Sequence, residues 1–155
     1  MVKCGDYTMS PTSIKFHFAT LTKNSYQGIL DLSSMSIINS GMCVSVNAFE
    51  ECGGYNEKVF LDYSDHEFLR RFKKKNSEAY ILPFSLRQDF SAQSDDWMKS
   101  LKRFDLFCKS LKGCEKQTFG DRCSFLFVVS KRACSLSLRN LSLKPFVVLF
   151  KSYIR

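Results

Sequence analysis

Three carboxylates, Asp62, Asp65 and Glu67, fall in the short stretch DYSDHE, directly after the apolar run Val59-Phe60-Leu61. A carboxylate held at the mouth of a helix can draw a proton from an incoming hydroxyl and so act as a general base. The same residues have a plainer use. Ser64-x-x-Glu67 is a capping box, and Asp65 in the first turn gains about 0.3–1 kcal/mol from the helix dipole. Asp62 precedes the cap and gains little from it. His66 sits inside the segment, placed either to tune Asp65 or to stand as an ordinary exposed histidine. The basic run from Arg70 to Lys75 reads as a solvated helix face.

The elements that position these residues follow from pattern. Met1 to Leu32 is rich in Ser, Thr and Asn, and SIKFHFATL reads as an edge strand or an irregular segment. Met35 to Val46 reads as a buried strand interrupted by Gly41, a residue type that marks a bulge or a close approach to the backbone. Asn47 is expected to cap a short helix, AFEEC, stopped by Gly53-Gly54. A second helix starts near Ser64, with Phe68, Leu69 and Phe72 on one face. AYIL and FSLRQDF read as short strands on either side of Pro83. Ser94-Asp95-Asp96 opens a third helix from Trp97 to about Lys112, a fourth runs from about Asp121 to Arg139, and Pro145 lies in the first turn of a fifth.

Charge separates front from back. Met1 to Asp96 holds 10 Lys and Arg against 12 Asp and Glu; Trp97 to Arg155 holds 13 against 3. A tail so basic favours an anionic surface, either acidic lipid or nucleic acid, although no nucleic-acid-binding signature accompanies it. Its aromatic residues (Phe104, Phe107, Phe125 and Phe150 among them) serve equally well to lie on a membrane or to pack as a helical cap. The seven cysteines lack any C-x-x-C spacing, and only His17 and His66 are at hand to complete a zinc site, so free thiols are expected. The apolar run Phe125 to Val129 is far shorter than the roughly 20 residues of a membrane span.

The stretch INSGMCVSVNAFEECGGYNEKVFLDYSDHEFLRRFKKKNSEAYILP resembles the second half of the catalytic domain of family 2 glycosyltransferases, especially the rhamnosyltransferase-like branch. The family's Ser-Gly strand matches Ser40-Gly41, and its GG-aromatic-[DN]-E turn matches Gly53 to Glu57. Its F-x-D-x-x-D-x-E segment matches Phe60, Asp62, Asp65 and Glu67; Arg71 and Pro83 match its late arginine and strand-ending proline. The resemblance covers about Ser36 to Ser91.

It implies a GT-A fold and inverting transfer of a hexose or deoxyhexose from a nucleotide-sugar donor to a glycan or lipid-linked acceptor, in cell-surface polysaccharide synthesis. Asp65 takes the place of the base. Asp62 and Glu67 orient the acceptor or brace the loop, and Arg71 pairs with an acid or contacts donor phosphate. Gly41 lets substrate pass or simply packs tightly.

The family's D-x-D, which holds a divalent metal (Mg or Mn), has no counterpart before INSG, and Gln88 stands where a histidine is common. The expectation is therefore a chain without the donor half, binding no metal and inactive alone, either truncated or working with a separate chain. The expected architecture is α/β: a partial GT-A-like sheet with flanking helices over 1–93, then a basic, all-helical extension over 94–155. The expected location is cytoplasmic, peripheral at the inner membrane face through the 97–155 tail. A rival expectation is a basic membrane-surface or nucleic-acid-binding module with no catalysis.

Overall fold

The Ser- and Thr-rich front builds most of a small mixed sheet. In the computed structural model, which describes residues 1–15, 18–60, 62–88, 96–116 and 118–154, β1 (Val2–Cys4), β2 (Tyr7–Lys15) and β3 (Phe18–Thr22) form an antiparallel meander. Strand β4 (Gly28–Asp31) leaves this sheet, and β5 (Met35–Ser36) pairs antiparallel with β2. Helix α1 (Val46–Glu51) and helix α2 (Ser64–Phe72) come next. Strand β6 (Glu78–Ile81) then pairs with β4, and β7 (Leu86–Arg87) adds parallel to β1. Helices α3 (Trp97–Gly113), α4 (Phe119–Asn140) and α5 (Lys144–Ile154) complete a mixed α/β chain with a helical C-terminal region.

Two compact units result, one of Met1–Asn56 with Asp65–Phe90, the other of Glu57–Ser64 with Ser91–Arg155. Against the expected boundary after residue 93, Glu57–Ser64 thus goes with the helices. His17, Leu61, Asp89, Phe90, Ser94 and Asp95, each part of a sequence expectation, lie outside the described residues.

Three expectations need correction. The strand expected over Met35 to Val46 reduces to Met35–Ser36. Beyond it the backbone N–H groups find other partners: Ile38 donates to Ser10 Oγ at 3.1 Å, and Met42 donates to Asn39 O at 3.1 Å. Gly41 turns the chain there with φ +71°, a conformation open to glycine at no steric cost. The cap of α1 is Ser45, whose Oγ accepts from Ala48 N–H at 3.2 Å, rather than Asn47. Glu67 does not reach back to close a capping box, because both its oxygens accept from Arg71.

The sheet unit packs around Leu32, Phe68 and Leu69, all buried, with the Phe68 ring 5.4 Å from Phe49 and 5.0 Å from Tyr55. The helical unit has its own core of Phe104, Phe107, Cys108, Leu111, Phe125 and Val129, into which Val59 inserts. Asp96 caps α3 by accepting from Met98 and Lys99 N–H, and Thr118 with Asp121 forms a capping box on α4. Among the described residues no helix is long and apolar enough to cross a membrane.

Candidate functional site

Within the sheet unit, hydrogen bonds tie together the segments that sequence had singled out. Asp65, in the first turn of α2, is half-buried. Its Oδ1 accepts from its neighbour's N–H, that of His66, at 2.9 Å, and its Oδ2 accepts weakly from Asn39 N–H at 3.4 Å. Asn39 Oδ1 in turn accepts from the Tyr55 hydroxyl at 2.6 Å. The acid therefore touches the INSG segment directly and the glycine turn through one more bond. Burial first, then the Asp65 charge, pushes the Tyr55 hydroxyl above its ordinary value.

Arg71 fixes the turn from below. Its guanidinium donates through Nε and Nη2 to the two oxygens of Glu67, each at 2.9 Å, a fork that only arginine can offer. It also donates to Cys52 O and, at 2.6 Å, to Gly54 O. Lys75 Nζ adds a bond to Glu51 O at 2.9 Å. Cations thus satisfy the carbonyls left open where α1 ends. Glu67, 1 % exposed, is a structural acid, not a reachable one.

Asp62 has a different setting. In the helical unit its carboxylate accepts from Arg103 at 2.8 Å and from Arg132 at 3.2 Å, and the Arg132 guanidinium lies 4.2 Å from the Phe107 ring centroid. The Phe60 carbonyl two residues earlier accepts from the Ser110 hydroxyl. Asp62 braces its loop. Of the three acids, Asp65 alone is without a cationic partner among the described residues.

Gly41 borders a cavity of about 340 Å³ in the sheet unit, lined mainly by apolar groups such as Met42, Val44, Phe68, Leu69 and Leu86. A Cβ on Gly41 would meet Leu86 Cδ1 at 2.6 Å, so the glycine permits close packing as well as the turn. The lining takes in Ser40 and Gly41 but not Asp65, which is linked to this stretch by the hydrogen bond from Asn39 N–H.

His66 is half-buried, and its Nδ1 shares a 2.8 Å hydrogen bond with Ser36 Oγ, itself 2 % exposed. Burial pushes the imidazole below its ordinary value of 6.5; the Asp65 carboxylate opposes this and Lys73 adds to it. The folded state therefore holds His66 neutral where the unfolded chain would take up a proton. Stability from this source is complete above about pH 6.5 and falls with pH below that, until the folded-state imidazole itself titrates. Urea midpoints between pH 7.5 and pH 5 should fall for the wild type and fall less for His66→Gln. Parallel slopes would show that the ring carries no such linkage.

The metal that the family resemblance implies does not fit these side chains. Glu67 and Asp62 are taken up by arginines, Asp65 by main-chain N–H groups, and no three of His, Cys, Asp or Glu converge among the described residues. None of the seven cysteines is in a disulfide, and burial pushes the Cys108 thiol up to about 12, well away from reactivity at neutral pH.

Sequence reasoning did not find Asn39, Ser36, Arg103 or Arg132. Asn39 carried a signal, since it directly precedes the Ser40-Gly41 pair; the others are matched to their partners only across 30 to 70 residues. Comparison of the chain with protein-family models, with curated proteins and with solved structures finds no match.

Proposed function

We propose that this chain is the acceptor-side portion of an inverting family 2 glycosyltransferase of GT-A type, with Asp65 as the base. The observation that supports the reading is the bonded set Asp65–Asn39–Tyr55, which joins the acidic segment, the Ser-Gly segment and the glycine turn around one carboxylate that has no cationic partner among the described residues. In the reaction, an acceptor hydroxyl oxygen attacks the anomeric carbon of the donor sugar while Asp65 takes its proton. The bond from that carbon to the diphosphate oxygen breaks, and the nucleoside diphosphate leaves with the electron pair. Asp62, Glu67 and Arg71 hold the loop and turn in shape without touching the reacting atoms.

The strands ahead of the acidic segment form an antiparallel meander. Parallel nucleotide-binding layers are instead built from crossovers of a dozen or more residues each. On this reading the isolated chain binds saccharide but neither binds nor turns over nucleotide sugar. Binding of a panel of hexoses, deoxyhexoses and short glycans, together with release of nucleoside diphosphate from a donor panel, tests it. The expected result is saccharide binding weakened at least about ten-fold in Asp65→Asn, with no diphosphate release. Robust turnover would contradict the missing donor layer; absence of saccharide binding would contradict the acceptor site and leave a non-catalytic basic module.

A further inference from the structure

We infer that the turn joining α4 to α5 docks on an anionic lipid surface, an inference that stands on the helical unit and does not rest on the proposed transferase. The turn is apolar where a solvated connection should be polar. Leu138 is 77 % exposed, Leu141 94 % and Leu143 74 %, and Phe150, two turns into α5, is 69 % exposed. Leu141 is also left-handed, with φ 47° and ψ 44°, at the end of α4. Glycine or asparagine ordinarily takes that position, and Asn140 stands directly before it. A leucine there strains the backbone and gains no burial, so its side chain does nothing for the isolated fold.

The surrounding charge says what covers it. Arg139, Lys144 and Lys151 flank the turn in sequence, and no Asp or Glu follows Asp121. Leu143, directly before α5, and Val147 and Phe150 on it form an i, i+4, i+7 stripe, and exposed Lys144 and Lys151 form the adjacent one. Apolar and cationic stripes side by side suit the boundary between acyl chains and acidic headgroups, where such helices lie about 5–10 Å deep. A nucleic-acid backbone would leave the leucines in water, and a second copy would set cations against cations. With no membrane-spanning helix among the described residues, attachment is to the surface.

Co-sedimentation of the full chain with phosphatidylcholine vesicles, with or without phosphatidylglycerol, tests this. Binding should need the anionic lipid, weaken with salt, and drop at least about ten-fold in Leu141→Asp/Leu143→Asp. Leu141→Gly keeps the turn and relieves its strain, so it should unfold at a higher temperature than wild type while binding vesicles less. Equal binding to both vesicle types, indifference to all three substitutions, tighter binding to DNA or RNA than to anionic vesicles, or a dimer that covers the turn would each overturn the inference.

Discussion

Replacing Arg71 with alanine is expected to destabilise the chain by about 3–5 kcal/mol, the usual penalty for stripping one partner from a buried ion pair. Glu67 is 1 % exposed and the Arg71 side chain 17 %, so water cannot take over for the lost guanidinium. Three groups lose their donor together: the carboxylate and the carbonyls of Cys52 and Gly54. Phe68 also loses a guanidinium 6.0 Å from its ring centre. A loss of this size is a large part of the roughly 5–15 kcal/mol that keeps a typical domain folded. Arg71→Lys keeps the charge without the fork and should fall between. Glu67→Leu/Arg71→Met removes both ends and should recover much of the Arg71→Ala loss, which also rescues the comparison if the single variant does not fold. Urea midpoints measure all three; a loss below about 1 kcal/mol in Arg71→Ala would show that the pair is dispensable.

Gly113→Ala should cost about 2–3 kcal/mol, although alanine is the better helix former. Gly113 is the last residue of α3, and a Cβ there would fall on the Lys58 carbonyl group. Backbone atoms cannot swing aside as a side-chain tip can. The displaced segment carries Val59 into the helical core, the Phe60 carbonyl onto Ser110, and Asp62 onto its two arginines. Gly120→Ala is the control. It lies in the first turn of α4 with Thr118 Oγ1 at 3.6 Å, an ordinary contact, and should be neutral or stabilising by up to about 1 kcal/mol. Thermal unfolding of the pair decides the matter, and equal shifts in the two variants would remove the steric explanation.

Legibility in the sequence followed the kind of force at work in each element. Helix α3 was readable because Phe104, Cys108 and Leu111 recur at helical spacing and all become core, with Asp96 capping. Helix α4 begins two residues before Asp121, because Thr118-x-x-Asp121 is itself a capping box. Strand β2 was hidden for a physical reason. Its buried face is Thr8, Ser10 and Thr12, which bond main-chain groups of Asn24, Ile38 and Thr20, so no apolar alternation marks it. The acids show the same limit. The tension at Asp62, too early to cap anything, was visible in the sequence. Its resolution lay 41 and 70 residues away in Arg103 and Arg132, beyond any local pattern.

What separates Asp65 from its two neighbours is that no arginine among the described residues pairs with it, and that difference can be watched directly. Carboxyl-carbon NMR of the full chain, titrated with the saccharide panel, follows all three acids at once. The Asp65 signal should move with saturating dependence while those of Asp62 and Glu67 stay in place. A silent Asp65 signal beside a shifting Asp62 or Glu67, or no shift in any of the three, would contradict its assignment as the acceptor's base.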